Sequence, residues 1–254
     1  MTRSGHPAAA AAGVAVLAIL VAPFLALAFA TRWAGFHLAP GDGGAVAVSL
    51  GLSLVSLGLI ALAGTPLAYW LARRQGRGGG VIDALVLLPF LTPPLAMGIL
   101  LAALYGPYGP AGQLLERLGL VLTNSAPAFV AAQIYGAMPY YVVAARAAFA
   151  AVPADYEEIA LTLGKSPWAV FWRVSLPLAR LGLAAGLATA WVRALGEFGI
   201  VLIIAYFPQG MPVKLWVDLQ DSGLGAVFPL LWVFLLVAMP LPLALGIFTR
   251  RRYA

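Results

Sequence analysis

The stretch EIALTLGKSPWAVFWRVSLP, running from Glu158 to Pro177, differs in kind from the chain around it. It lies in the longest interval between apolar runs and carries both acidic and basic residues, and Gly164 divides it in two. Just upstream, Pro153 is placed to start a helix, because the first helical position needs no amide donor. Asp155, Glu157 and Glu158 then fall in the first turn, where the helix dipole favours negative charge. Tyr156, Ile159, Ala160 and Leu163 share one helical face by their spacing. Gly164 ends that helix, as glycine does past a C-terminus. Ser166 caps a second helix with Pro167 at its first position, and Trp168, Phe171 and Trp172 give it an apolar stripe. The expectation is two short helices around a glycine corner, serving either as a docking element or as an amphipathic hairpin on a membrane surface.

Outside this interval the chain is oily. It is 63% hydrophobic and only 9% charged, where a soluble domain carries about 25% charged residues. Its apolar runs reach the ~20 residues that a helix needs to cross a bilayer. Short alternating segments of the kind that build a transmembrane barrel are missing. The class is all-α, a polytopic membrane protein forming a single domain over residues 1–254. Six spans are expected near 10–30, 45–71, 81–104, 126–149, 178–205 and 226–248, with the special loop at 153–177 between the fourth and fifth.

Basic residues set the orientation. One side receives Arg3, then Arg73, Arg74 and Arg77, then Lys165, Arg173 and Arg180, then Arg250, Arg251 and Arg252; the other receives only Arg32, Arg117 and Lys214. Both termini are therefore expected in the cytoplasm, and the net charge of +6 reflects topology rather than nucleic-acid binding. Arg3, an apolar run and Ala26-Leu27-Ala28 also fit a signal peptide, but the run from Pro7 to Ala30 is long for one, so a retained span is expected. Trp33, Tyr105, Tyr108, Tyr206 and Trp216 suit one interfacial belt, with Tyr69 and Trp70 at the other side. Prolines within spans, among them Pro66, Pro89, Pro93, Pro94, Pro139 and Pro229, are expected to kink or interrupt their helices. The chain has no cysteine, which excludes disulfides and thiolate metal sites.

Two charges fall deep inside the fifth span, beyond Arg180 near its start. Arg193 and Glu197 are four residues apart and so share a helix face. An unpaired charge at mid-membrane costs about 2.5–3.5 kcal/mol on insertion scales, so the two are expected to pair, and either to line a pathway or its gate or to fix helix packing, with the pathway favoured. Gly182 and Gly186, in the same span, have the spacing that permits close helix contact.

The loop spacing resembles the signature of permease subunits of ATP-binding-cassette importers: E-A-A, three residues, G, nine residues, I-x-L-P. Here it reads Glu158-Ile159-Ala160, three residues, Gly164, nine residues, Val174-Ser175-Leu176-Pro177. Ile159 and Val174 are mild departures. The resemblance implies that the loop docks on a separate cytosolic ATPase, with Glu157, Glu158, Ala160, Gly164, Pro167, Trp168 and Pro177 as coupling residues. The segment Arg193-Ala194-Leu195-Gly196-Glu197-Phe198-Gly199, followed by Ala205-Tyr206-Phe207-Pro208, resembles the molybdate and tungstate permeases within that family. This implies a tetrahedral oxyanion as substrate, with Arg193, Glu197 and Phe198 at the pathway or gate; sulfate, thiosulfate or another small solute is the alternative. The implied assembly is a permease homodimer in the inner membrane, two ATPase copies carrying ATP-Mg, and an extracytoplasmic substrate-binding protein. The chain itself is expected to bind no cofactor, metal or nucleic acid and to have no catalytic residue.

Gly164-Lys165-Ser166 imitates the end of a phosphate-binding loop, but Ile159 stands where that motif requires its first glycine, and no strand precedes it. An ATP-independent secondary transporter would show internal inverted repeats, and the loop pattern has no second copy. An enzyme is disfavoured because His6 is terminal and His37 extracytoplasmic, and no metal or nucleophile constellation surrounds either.

Overall fold

The computed structural model describes residues 7–74 and 79–244, and every regular element among them is helical. In chain order these are α1 (Pro7–Ala30), α2 (Asp42–Arg73), α3 (Gly79–Leu91), α4 (Pro94–Tyr105), α5 (Pro110–Arg117), α6 (Ala126–Ala150), α7 (Ala154–Thr162) and α8 (Pro167–Val170). A π-helical turn (Phe171–Ser175) then leads into α9 (Leu176–Leu195), followed by α10 (Gly199–Ile204), α11 (Met211–Ser222) and α12 (Leu224–Ala238). Five segments are long and apolar enough to cross a membrane, and α3 with α4 makes a sixth if the pair is counted as one span. Arg3, His6, Arg77 and Arg250 to Arg252 lie outside the described residues, as does the end of the expected sixth span.

The interruption expected at Pro93 and Pro94 is present in the third span, where α3 and α4 meet at 104°. Pro93 is extended (φ −54°, ψ 140°) and Pro94 opens α4. Two successive residues without amide donors, the second forcing the first out of helical geometry, stop α3 and restart the chain in a new direction. At 13 and 12 residues the halves are each about 20 Å long, short of the ~30 Å hydrocarbon core. The fifth span begins earlier and ends earlier than expected: helix runs from Pro167 to Leu195 with little bend, then breaks at Gly196–Phe198 before α10. Consequently the second helix of the loop is not free-standing but forms the first turns of span five. Pro153, expected at the first helical position, sits one residue earlier as the N-cap of α7. The Ala26–Ala28 triplet lies within α1.

Packing centres on α6, flanked by α2 and α9. Gly182 abuts Ala148, and a Cβ at Gly186 would stand 3.1 Å from that of Ala144, so the spaced glycines of α9 let it lie close against α6. On the other flank the Tyr141 hydroxyl meets Thr65 of α2 at 2.6 Å. The two half-helices that follow the breaks pack on each other: a Cβ at Gly199 of α10 would fall 2.7 Å from Pro94, and one at Gly98 of α4 2.9 Å from Ile203. By contrast α1 is peripheral, with Val14, Ile19 and Phe29 exposed. It is tied at its end by Trp232, which donates to Thr31 at 2.9 Å.

One polar side chain joins the three central helices. Gln133 of α6 is buried; its amide donates to Ser53 Oγ of α2 at 2.7 Å and to the Ala194 carbonyl of α9 at 2.9 Å, and its carbonyl accepts from Ser56 of α2 at 2.7 Å. Both of its amide protons and its oxygen are thus used. At the far end from α7, Lys214 of α11 pairs with Asp218 and lies 3.5 Å from Asp42 at the start of α2.

Gln133→Leu roughly keeps the volume but removes the interhelical bonds to Ser53, Ser56 and the Ala194 carbonyl, leaving Ser56 only its bond to the Leu52 carbonyl and Ala194 only the Glu197 amide. Interhelical hydrogen bonds in membranes contribute about 0.6–1.7 kcal/mol, so the variant is expected to lower the thermal unfolding midpoint in detergent by several degrees. An unchanged midpoint would show that the hub does not support the bundle.

Candidate functional site

Two features bear on function: the corner after α6 and a cavity beside α9. At the corner, α7 closes with paired hydrogen bonds, Lys165 N–H to the Ala160 carbonyl (3.1 Å) and Gly164 N–H to the Leu161 carbonyl (2.9 Å). This is the Schellman arrangement, which requires a left-handed residue after the helix; Gly164 has φ +78°. Ser166 caps α8 by accepting from Ala169 N–H at 3.3 Å, and Pro167 follows at its first position. The local geometry of the corner therefore follows the sequence reading closely.

Its surface is apolar and uncovered. Tyr156, Ile159, Leu163 and Trp168 are all more than half exposed. Trp168 and Trp172 pack edge to face at 5.5 Å, and Phe171 behind them reaches Tyr69 of α2 at 5.0 Å. A rigid aromatic base thus supports an exposed apolar face, the signature of an interaction surface.

The two adjacent glutamates, read together from sequence, occupy different environments. Glu158 is exposed, as are Gly164, Pro167, Trp168 and Pro177, while Ala160 is half-buried. Glu157 is buried. Arg73 at the end of α2 grips it through both oxygens, Nε to Oε2 at 2.9 Å and a terminal nitrogen to Oε1 at 2.7 Å. Ser175, at the entry to α9, donates to Oε1 at 2.6 Å, and Arg73 also donates to the Val152 carbonyl at 3.1 Å. Burial alone would push the Glu157 carboxyl up, but the hydrogen bonds from Arg73 and Ser175 and the guanidinium charge outweigh it and hold it below the ordinary 4.5. One carboxylate therefore clamps α7 to both α2 and α9. In the sequence Arg73 bears only on topology, since nothing local pairs it with a residue 84 positions away.

Beside α9 lies a cavity of ≈ 830 Å³. Its walls are mainly apolar, with Phe234 and Met239 on one side and Tyr140 and Thr189 on the other; Arg193 is the charged residue on its lining. Arg193 pairs with Glu197 at 2.5 Å, as expected, and its guanidinium lies 5.7 Å from the Tyr140 ring centre. Glu197 and Phe198, expected to line a pathway with it, do not reach the cavity. α9 ends at Leu195, so Glu197 is not on its face. Its carboxylate turns inward, fully buried, and accepts from Ile200 N–H at 2.9 Å, capping α10. Phe198 packs on Trp216 at 5.8 Å between ring centres. A further ion pair unnoticed in the sequence, Arg146 with Asp83 at 2.5 Å, ties α6 to α3; two charges inside expected spans were the available signal.

The model of the family described as "Binding-protein-dependent transport system inner membrane component" matches residues 64–252. The chain is 44% identical over 182 residues to a probable molybdenum ABC transporter permease protein of Haloferax volcanii, a match spanning 71% of this chain and 66% of that relative. It is 35% identical over 228 residues to the molybdenum transport system permease protein ModB of Mycobacterium tuberculosis, covering 87% of this chain and 86% of the relative. In fold it is similar to a chain of a bacterial alginate ABC transporter, solved with a pentasaccharide-bound periplasmic protein: TM-score 0.75, 16% identity, 96% of this chain and 93% of the other. With a family model spanning most of its length and a loop that keeps the glycine corner of the importer signature, the chain belongs to the binding-protein-dependent transport system inner membrane components, the permeases of ABC importers.

Proposed function

We propose that this permease carries a tetrahedral oxyanion, molybdate or the isostructural tungstate, inward across the inner membrane, driven by a separate ATPase that seats on the α7 corner. The observation that carries the reading is the Glu157 joint beneath an exposed apolar face. A partner that moves α7 pulls through Arg73 on α2 and through Ser175 on α9, and α9 bears the arginine that faces the cavity. In this reading ATP-Mg binds and is hydrolysed on the ATPase, not on this chain. Two permeases form a two-fold pair above two ATPases, since closed two-fold symmetry is the commonest way to assemble identical chains. A substrate-binding protein delivers the anion from outside, and both termini face the cytoplasm with the α7 corner, following the placement of basic residues. The names of the relatives support the choice of molybdate over other solutes.

The direct test is ATP-dependent uptake of labelled molybdate by proteoliposomes containing the permease, its ATPase and the binding protein. Uptake without ATP, or uptake of sulfate in place of molybdate, overturns the drive or the substrate. Arg193→Ala is expected to lower the uptake rate about tenfold, equivalent to ~1.4 kcal/mol of barrier, with the permease–ATPase complex still recovered intact.

Gly164→Val places a β-branched residue at φ +78°, a conformation costing it roughly 1–2 kcal/mol. A Cβ there would meet nothing within 4 Å, so the effect is on the corner alone. The variant should insert normally yet lose stimulation of the ATPase by the loaded binding protein; retained stimulation would remove the corner from the coupling path.

The glutamates separate structure from docking. Glu157→Ala leaves Arg73 without its partner and is expected to destabilise the permease by roughly 3 kcal/mol, whereas Glu158→Ala should leave the melting temperature unchanged and weaken ATPase association. Because the Glu157 carboxyl is held low in the folded protein, its stabilising contribution is complete above the ordinary carboxylate range. It fades as pH falls through the lower folded value. Melting temperature followed from pH 7 to pH 3 should show this acid loss in the wild type and a smaller one in Glu157→Gln.

A further inference from the structure

Arg193 faces the cavity with a quarter of its side chain exposed, while the carboxylate paired with it is completely enclosed. The enclosure depends on α6. At Gly136 the helix carries no side chain, and Glu197 fills the space: a Cβ at that position would stand 2.5 Å from Glu197 Oε2 and 3.1 Å from its Cδ. The other oxygen, Oε1, is committed to Ile200 N–H. The Glu197 carboxylate is therefore wedged between the backbone of α6, the start of α10 and the guanidinium of Arg193.

We propose that Gly136 and Glu197 are positioning residues that hold Arg193 toward the cavity and keep its charge partly neutralised, so that a passing oxyanion is attracted but not retained. The inference rests on the reading of Arg193 as a group on the anion's route. A lone guanidinium in a mostly apolar cavity would hold a dianion strongly, since charges in such surroundings are poorly screened. Conduction requires a site weak enough to leave as well as strong enough to enter. A buried carboxylate behind the arginine meets both needs: it makes the pair a dipole whose positive end points at the anion. The carboxylate lies behind the guanidinium, so its repulsion acts on the anion from farther away and weakens the attraction without cancelling it. Gly136 makes this order possible. Any larger residue drives the flexible end of Glu197 out of its niche, which shifts the ion pair without disturbing backbone.

The test uses the complete transporter, permease with ATPase and binding protein, in proteoliposomes, together with equilibrium retention of labelled molybdate by the purified permease–ATPase complex. Glu197→Gln keeps the size and the acceptor for Ile200 but removes the charge. It is expected to retain molybdate about tenfold more tightly while the maximal uptake rate falls several-fold. A merely structural role for Glu197 cannot produce tighter binding, and equal or weaker retention overturns the proposal. Gly136→Ala is expected to lower uptake by about tenfold. Shortening the acid in Gly136→Ala/Glu197→Asp makes room for the methyl group and should recover most of that loss. A double variant no better than the single one overturns the packing part, and this comparison still decides the matter if Glu197→Gln does not assemble. Wild-type uptake by Arg193→Ala would instead sink the underlying assignment of the pathway, whatever the Gly136 and Glu197 variants do.

Discussion

Inside a bilayer a helix that stops must have its free backbone groups satisfied by protein, because no water is there to do it. This constraint governs the heart of the molecule. Span five breaks at Gly196, leaving acceptors at the end of α9 and donors at the start of α10. Gln133 takes up the Ala194 carbonyl and Glu197 the Ile200 amide. The same two side chains tie the break outward, Gln133 to two serines of α2 and Glu197 to Arg193. The facing break at Pro93 is packed directly beneath, with α4 and α10 in contact through Gly98 and Gly199. The carboxylate that satisfies the start of α10 thus also pairs with Arg193, the charge on the cavity wall among the described residues.

The loop end follows a different logic. There the backbone is closed locally, by the glycine turn after α7 and the serine cap of α8, so the surface side chains are not needed for folding and remain exposed. What must be strong is the attachment of the corner to the spans. A buried carboxylate gripped by a guanidinium fork is stiff and directional. It joins α7 to α2 and α9 at one point, where apolar packing alone would permit sliding. Glu157 and Glu158, neighbours in sequence, are divided by this arrangement into an attachment and a surface group.

Much of this architecture was legible beforehand, and the parts that were share a cause. The glycine corner, the Ser166 cap and the positions of most span ends depend on residues within a few positions of each other, where turn chemistry and helix periodicity act. The interruption at Pro93–Pro94 was foreshadowed by two consecutive residues without amide donors, although the 104° turn was not. The pairing of Arg193 with Glu197 was also within reach of local spacing. Their division, one toward the cavity and one away, was not, because helical spacing assumes a helix that continues, and this one ends between them.

Local chemistry in the sequence by itself thus determined the membrane class, the spans and the glycine corner, and the spacing of that corner resembled the importer permeases. Only the tertiary structure decided that Glu157 belongs to Arg73, that Gln133 serves the end of α9, and that Glu197 is enclosed against Gly136. Each of these joins residues far apart in the chain. Which distant partner a buried polar group finds is set by how helices pack, and that is decided by the whole set of side chains between them.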